Sequence, residues 1–199
     1  VVSEVHVIGL RAVDEAWVSR AASFVSRTFA VDGLVGTPCP EIEPDPEPDH
    51  GQVASTEILR GLLAQAPGPG TRLLGLTETD LYLPTLSFVF GHAQLDGQVA
   101  VVSLYRLRPE NEGLHADPQR LANRLVREIA HERGHTWGLQ HCSRRTCCMS
   151  LSTSVEEVDA KTAEFCRTCR ALLREAQRRE RSRHARADAV LEHQEEARR

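Results

Sequence analysis

Hydrophobic and polar positions alternate along the chain with two periods, which predict short strands and amphipathic helices. Val5, Val7 and Ile8 form a short apolar run that predicts a first strand. In residues 11–29 the apolar positions recur at the spacing of a helix that packs one face on a sheet. A second amphipathic helix is predicted to start near Ser55 and to stop at the proline and glycine cluster that follows it.

The middle of the chain predicts a run of strands. Residues 73–76 and 80–82 are extended in this interpretation, and a hairpin is predicted from residues 88–90 and 98–105. Asp96-Gly97, a favoured tight-turn dipeptide, lies between the two strands of that hairpin. The segment 98–105 is apolar on both faces, so we expect it in the interior of the sheet.

The second half of the chain is predicted to be helical. Asp117-Pro118 has the sequence of a helix start, with the N-cap followed by proline at the first helical position. A broad apolar arc follows it and leads into residue 131. A last helix is predicted to begin at Ser154, with Glu157 in a capping box, and to continue towards the charged C-terminus.

Composition is that of a globular chain with an appendage. The chain has 199 residues, 41% of them hydrophobic, which fits a single domain at 1–175 and a charged helical tail at 176–199. The acidic, proline-rich segment 36–53 is predicted to be an exposed connecting loop. A net charge of -4 gives no electrostatic case for binding nucleic acid or an anionic membrane. No apolar run is long enough to span a bilayer, and no secretory signal is visible.

One segment has the spacing of a metal site. His131 and His135 are four residues apart, so they lie on the same face of a helix, one turn apart. Gly138 is predicted to end that helix in a left-handed conformation, after which His141 can reach the same metal ion. Together with Glu132 these residues fit the pattern HExxHxxGxxH, whose extra glycine and third histidine make an accidental match improbable.

The chemistry of that pattern is hydrolytic. Three histidines leave one position of a tetrahedral zinc ion open, as in catalytic sites. Zinc lowers the pKa of a water molecule towards about 7 and polarises a peptide carbonyl. Glu132 is the one residue of the motif able to act as general base, taking the water proton and passing it to the leaving amine.

Cysteines follow the histidines directly. Cys142 and Cys147 lie just after His141, and Cys166 and Cys169 are three apart on the predicted last helix. Four thiolates would hold a second, structural zinc with no open position. Cys148 could replace Cys147 after a shift of one residue. Buried free thiols or disulfides are the alternative to metal binding.

These motifs resemble the archaemetzincins, in which HExxHxxGxxH is followed by cysteine, four residues, cysteine, one residue, methionine and a later CxxC. A methionine is more often a plain packing residue, but the place of Met149 after a three-histidine zinc motif favours the methionine turn beneath the metal. Segments 85–91 and 100–107 are also similar to strands of that family. The matching motif residues are His131, Glu132, His135, Gly138, His141, Cys142, Cys147, Met149, Cys166 and Cys169.

The resemblance implies an α+β fold, a compact metzincin-like zincin domain with a small mixed twisted β-sheet backed by helices and an active-site helix. It implies two zinc ions, one catalytic on the histidines and one structural on the cysteines. It also implies a soluble, cytoplasmic protein, which we expect to be a monomer with a peptide or protein substrate. In metzincins an extended substrate pairs with an edge strand, for which Gly91, His92 and Ala93 are candidates, although an ordinary hairpin end explains them equally well.

Three functions fit these residues. The first is a zinc metallopeptidase, with aminopeptidase-like cleavage as one form of it, which the presence of Glu132 favours. The second is a zinc-binding module of the same fold with little or no turnover. The third is a nucleic-acid module that uses the four-cysteine zinc and the arginine-rich tail, against which the net negative charge argues.

Overall fold

The computed structural model describes residues 4–68 and 70–196. The strands are β1 (Glu4–Gly9), β2 (Asp32–Val35), β3 (Gln52–Ala54), β4 (Thr71–Thr77), β5 (Asp80–Leu83), β6 (Leu86–Val89), β7 (Gly91–Ala93) and β8 (Val99–Ser103). The helices are α1 (Glu15–Phe29), α2 (Ser55–Gln65), α3 (Pro118–Thr136), α4 (Val155–Ala160) and α5 (Arg167–Glu196). Short 3₁₀ turns lie at Pro40–Ile42, Tyr105–Leu107 and Pro109–Glu112. The predicted α+β fold class is confirmed.

The strands form two sheets of different size. The larger sheet has the order β2-β1-β4-β8-β7, in which β7 alone is antiparallel to its neighbour. The smaller sheet has the order β3-β5-β6. Strand β8 lies between β4 and β7 and every one of its residues is buried, which confirms the predicted interior strand. Strand β7 is left at the edge of the larger sheet, with one side unpaired within it.

Helices cover both faces of the larger sheet because successive strand residues point to opposite sides. Alternate residues such as Leu74 and Val102 pack with α1 and α3 in one hydrophobic cluster. Their neighbours Leu73 and Val101 pack with Ile58 and the rest of α2 in a second cluster. Each buried aliphatic side chain contributes roughly 1.5–3 kcal/mol of transfer free energy, so the first cluster fixes α3 against one face of β8 and the second fixes α2 against the other.

The predicted hairpin is wrong in one of its strands. Strand β8 pairs with Gly91–Ala93, whereas residues 86–89 form β6 and pair with β5 in the smaller sheet. The chain changes sheet at Phe90, which is buried and whose carbonyl oxygen accepts a hydrogen bond from the Ser103 amide (2.9 Å). The turn itself lies where the sequence indicates, with Asp96 at φ 51°.

Two predictions for the N-terminal half need correction. Helix α1 begins at Glu15 and not near residue 11, because Asp14 caps it by accepting a hydrogen bond from the Ala16 amide (2.8 Å). The loop 36–53 is not exposed throughout, since Glu43 is buried in its middle. The Glu43 carboxylate accepts a hydrogen bond from Thr77 Oγ1 (2.6 Å), which ties the loop to β4.

The predicted last helix is two helices. α4 ends at Ala160 and α5 begins at Arg167, because Lys161 turns inward, is 1% exposed, and forms an ion pair with buried Glu128 (Nζ to Oε1, 2.8 Å). The predicted capping box is also shifted. The Glu157 carboxylate accepts hydrogen bonds from the amide (2.7 Å) and hydroxyl (3.0 Å) of Thr153, and Ser154 makes no side-chain capping bond.

Helix α5 runs across the proposed boundary between residues 175 and 176. Two side chains beyond that boundary contact the rest of the protein: Gln177 Nε2 donates to the Phe29 carbonyl (3.0 Å), and Glu180 pairs with Arg72 (3.1 Å). The division into a 1–175 domain and a 176–199 tail stays a prediction. Within residues 4–68 and 70–196, no helix combines the length and the hydropathy that crossing a membrane requires.

Candidate active site

Helix α3 carries two of the three predicted histidines, His131 and His135, in its last turns. It begins at Pro118, where the Asp117 carboxylate caps the helix by accepting a hydrogen bond from the Arg120 amide (2.9 Å). After the helix ends at Thr136, Gly138 takes the left-handed conformation (φ 79°) that reverses the chain. The reversal brings His141 back to the helix, so that a nitrogen atom from each of the three histidines lies within 4.8 Å of the others.

The hydrogen bonds of two histidines fix where their protons are. His131 Nδ1 donates to the Cys148 carbonyl (2.8 Å) and His135 Nδ1 donates to the Leu139 carbonyl (2.7 Å). In a neutral imidazole the Nε2 atom is then a bare acceptor. The two Nε2 atoms are only 3.1 Å apart. Two lone pairs at that distance need a cation between them, and tetrahedral zinc with bonds of about 2.05 Å would separate its nitrogen ligands by about 3.3 Å.

The histidines are held in the neutral form that binds metal. Burial lowers the pKa of His131 well below its ordinary value, and the charge of Lys161 lowers it further. Burial also lowers the pKa values of His135 and His141. His131 is buried, His135 is half-buried and His141 is exposed, so one side of the cluster is accessible. This accessibility suits a metal site with an open position.

Glu132 lies beside the histidines at the base of a cleft. Its side chain is buried, and burial together with the charge of Glu128 raises its pKa well above the ordinary value. A cation held at the histidines would act in the opposite direction, since a nearby positive charge favours the carboxylate. Glu132 therefore occupies the position that a proton acceptor next to the histidine cluster requires.

The cleft over the histidine cluster has a volume of about 800 Å³. One wall includes the exposed Leu86 and the neighbouring Phe88 of β6, and another includes the exposed Leu151. Among the described residues that line it, the titratable side chains are three metal-site histidines, His92 and Glu132. The cleft can therefore accept an extended chain with apolar side chains above the candidate metal site.

The three predicted rim residues form β7 and line this cleft. Gly91 lies against the side chain of Glu132, whereas the next side chain of a strand points to the other face. His92 Nδ1 is 3.1 Å from Ser55 Oγ, at the start of α2. Burial lowers the pKa of His92. The structure thus places Gly91, His92 and Ala93 at the cleft, and their binding role stays a prediction.

A second cluster lies directly after the histidines. The Sγ atoms of Cys142, Cys147, Cys166 and Cys169 are all within 4.8 Å of one another, and those of Cys142 and Cys166 are 3.9 Å apart. Zinc with Zn–S bonds of about 2.3 Å would separate two tetrahedral sulfur ligands by about 3.8 Å. The amide of Cys166 donates a hydrogen bond to Cys147 Sγ (3.3 Å). The four sulfurs thus have the spacing that a closed zinc site requires.

The protons of these thiols are unevenly distributed. The pKa of Cys166 is lowered to about 7, chiefly because the Cys169 backbone hydrogen-bonds its sulfur. Burial instead raises the pKa of Cys169. Four neighbouring thiolates repel one another, so full deprotonation requires a divalent cation. All six cysteines of the chain are free.

Cys148 and Met149 connect the two clusters. Cys148 is buried and is not one of the four converging thiols, and it contributes its carbonyl group to His131. Met149 is fully buried against the backbone of α3 at Gly134, and its carbonyl accepts a hydrogen bond from the Cys142 amide (2.8 Å). The turn at 147–149 therefore contacts the histidine helix on one side and the cysteine cluster on the other.

Sequence reasoning missed the buried charges around α3. Lys161, the only lysine in the chain, pairs with Glu128 one turn before Glu132 and donates to the Ser150 carbonyl (3.3 Å). Arg72 donates to the Thr136 carbonyl (3.3 Å) at the end of α3, and its guanidinium lies 3.8 Å from the centre of the Trp137 ring. For the pair of Lys161 with Glu128, the one signal in the sequence was the presence of a single lysine in an arginine-rich chain.

Comparison with known proteins places this geometry in a family. The sequence profile of peptidase family M54 matches residues 68–175. An archaemetzincin of Methanopyrus kandleri is 46% identical over 131 residues, which are 64% of this chain and 71% of that protein. An archaemetzincin of Methanocaldococcus jannaschii is 44% identical over 120 residues, which are 60% of this chain and 65% of that protein.

Solved structures agree with the sequence relatives. The crystal structure of the M. kandleri archaemetzincin superposes with a TM-score of 0.75 at 36% identity, covering 88% of this chain and 95% of that one. The crystal structure of a zinc-dependent peptidase from Methanocorpusculum labreanum has a TM-score of 0.75 at 27% identity, covering 85% and 99%. The chain therefore belongs to peptidase family M54, the archaemetzincin family of zinc metallopeptidases.

Proposed function

We propose that the chain hydrolyses peptide bonds in the cleft above α3, with Glu132 as general base and then general acid. One zinc ion would be held by His131, His135 and His141. A second would be held by the four converging cysteines and would have a structural role. When bound at the histidines, zinc polarises the peptide carbonyl and lowers the pKa of a water molecule.

The observation that carries this proposal is the close approach of two histidine nitrogens beside a buried carboxylate. His131 Nε2 and His135 Nε2 face each other at 3.1 Å, and each ring is fixed by a backbone carbonyl on its other nitrogen. Glu132 follows His131 in the chain and lines the same cleft. A purely structural metal site has no need of a carboxylate at this position or of an open side.

The chain's own residues perform the proton transfers. Glu132 takes a proton from water as the oxygen attacks the carbonyl carbon, and it delivers that proton to the leaving amine. Strand β7 supports the substrate, because the edge of the larger sheet offers backbone groups to an extended peptide.

The setting of the protein is part of the proposal. Six cysteines without a disulfide, four of them converging, remain reduced in a reducing compartment, which supports a cytoplasmic location. A monomeric state stays a prediction. The alternative function, zinc binding with little or no turnover, uses the same ligands, and only a catalytic measurement separates it from the peptidase.

The experiment is cleavage of a mixed peptide pool by the zinc-loaded protein, read by mass spectrometry beside Glu132→Ala and Glu132→Gln. We expect cuts from the wild type, and a fall of about 10²–10⁴-fold in rate for both variants, because general acid–base catalysis contributes that much. Both variants should keep the zinc content of the wild type, since Glu132 is not a proposed ligand.

The outcomes separate the two functions. Cuts that disappear in both variants establish Glu132 as the base and give the side-chain preference from the cut positions. Equal cleavage by Glu132→Gln would remove Glu132 from that role. Absence of cuts from a wild type with full zinc content would favour the binding module.

A further inference from the structure

The side chain of Glu132 lies directly against the edge strand β7. An ideal Cβ built on Gly91 would lie 2.6 Å from Glu132 Cγ and 2.8 Å from Glu132 Oε1. It would also lie 2.8 Å from the Val101 carbonyl oxygen of the neighbouring strand. Real Cβ atoms essentially never approach other heavy atoms within 3.0 Å. The volume that any other residue would need at position 91 is therefore already filled.

Neither the backbone of β7 nor helix α3 is free to move away from this contact. Strand β7 is paired antiparallel with β8, with Gly91 opposite Val102, and β8 is buried over its whole length. On the other side, α3 is anchored in the core through Leu125 and Ile129, both 0% exposed. Close-packed interiors respond to an added methyl group by displacing side chains. The group with most freedom to move at this contact is the Glu132 side chain, which reaches the cleft.

Packing sets the orientation of Glu132. Its side chain is 5% exposed, and its Cγ and Oε1 atoms lie against the Gly91 backbone. A general base must come within about 2.6–3.2 Å of the proton that it takes. A misplacement of about 1 Å can reduce a rate by on the order of 10²-fold.

We infer that Gly91 is a positioning residue for the reaction: its missing side chain leaves the space in which Glu132 is held beside the histidine cluster. This inference rests on the proposed function of Glu132. It gives Gly91 a role different from that of a substrate-contacting rim residue. A rim residue would act on substrate binding, whereas a positioning residue acts on the chemical step.

The test is Gly91→Ala with Gly9→Ala as a matched control. Gly9 is also a strand glycine, but a Cβ there would meet its nearest atom, Val18 Cγ2, at 3.4 Å, which is ordinary contact. Both variants are assayed on the peptide that the wild type cleaves best in the pool. We expect Gly91→Ala to lower kcat by on the order of 10²-fold with KM little changed and zinc content intact. Gly9→Ala should keep wild-type kcat and KM.

Two kinetic outcomes overturn the inference. A Gly91→Ala variant with wild-type kcat would mean that Glu132 tolerates the methyl group. A raised KM with unchanged kcat would return Gly91 to the substrate rim. If the wild type cuts no peptide, the proposed function fails on its own, and the thermal measurement below still reports whether Gly91 confines Glu132.

A thermal double-mutant cycle covers the case in which Gly91→Ala folds poorly. Glu132→Ala removes Cγ and Oε1, so Gly91→Ala should lower Tm less in that background than in the wild type. The clash with the Val101 carbonyl is the same in both backgrounds and cancels in the cycle. A coupling of zero, or failure of both Gly91→Ala proteins to fold, would assign the effect to Val101 and overturn the inference.

Discussion

The histidine cluster and the cysteine cluster are adjacent in the chain but are supported in different ways. Two of the three histidines project from the last turns of α3, a helix that is capped at its start and buried along one face. Cys142 and Cys147 come from residues 137–154, which follow α3 and contain no helix or strand, whereas Cys166 lies just before α5 and Cys169 in its first turn. A regular helix positions the first set, whereas the second set must hold irregular backbone in place.

Because of this difference, we expect the loss of zinc from one cluster to have a different effect from its loss from the other. The histidine cluster is accessible at His141 and opens on the cleft, so a metal held there could serve a reaction without being needed for the fold. In the cysteine cluster Cys147 and Cys169 are buried, and four cysteine ligands would leave no open position on a zinc ion. We therefore expect activity to depend on the first metal and folding to depend on the second.

Removing a cysteine ligand is the strongest way to test this contrast. Cys147→Ala should release one zinc equivalent and abolish cooperative folding at 37 °C. A structural zinc contributes roughly 10–16 kcal/mol in small zinc domains, which is as much as the whole stability of a typical domain. The measurement is zinc content by mass spectrometry together with thermal unfolding.

Cys148→Ala is the matched control for that variant. Cys148 is the next residue and is equally buried, but its thiol is not one of the four that converge. It should keep both zinc ions and lose only about 1–2 kcal/mol for the small cavity. The reverse result, with zinc lost from the Cys148 variant alone, would exchange the two cysteines as ligands.

Stepwise removal of metal is expected to have the next largest effect. Titration with a competing chelator should first remove the zinc at the accessible histidines, with loss of activity and little change in Tm. The second zinc should leave only with unfolding, because it is linked to the folded loop. Loss of both ions in a single step, or unfolding before inactivation, would contradict the division of roles. Glu132→Ala should lose zinc in the same two steps as the wild type.

The buried pair between Lys161 and Glu128 tests the connection between the two clusters. Lys161 is bound to α3 through Glu128 and to the turn at Met149 through the Ser150 carbonyl. Lys161→Met leaves a buried carboxylate without its partner, which costs about 3–5 kcal/mol in comparable pairs. Urea unfolding of the zinc-loaded protein measures this loss of unfolding free energy. The double variant Lys161→Met with Glu128→Leu should recover most of the loss. Wild-type stability of the single variant would show that the pair has no net effect.

The histidine geometry could be anticipated from the sequence because it depends on local backbone rules. A spacing of four residues places two side chains on one helical face in any helix, and the glycine after the helix indicates its reversal. The structure finds both features at residues 131–138. The grouping of the cysteines was visible from their spacing. Cys166, however, lies before α5 and not on a continuous last helix.

The missed features depend on contacts between distant residues. Lys161 interrupts the last helix because its ammonium group pairs with Glu128. Glu43 is buried in an acidic loop because Thr77 donates to it. Strand β7 has only three residues, too few for an alternating pattern to be recognised, and its pairing with β8 is a tertiary choice. The hydrophobic periodicity of a local segment does not indicate which distant residues its side chains will contact.

The smallest predicted effect concerns the turn at Gly138, which lies between His135 and His141. Gly138→Ala requires a residue with a side chain at φ 79°, which costs about 1–2 kcal/mol. Space is not the obstacle, since a Cβ there would meet Asp96 Cβ at 3.6 Å, an ordinary contact. If the turn relaxes to relieve this strain, His141 moves away from the other two histidines. We therefore expect weaker zinc binding at the histidines and unchanged binding at the cysteines. The chelator titration measures both, and Gly138→Asn should recover part of the loss because asparagine tolerates this conformation better. Equal weakening at both sites would mean that the neighbouring residues His141 and Cys142 move together. The two clusters would then not bind zinc independently of each other.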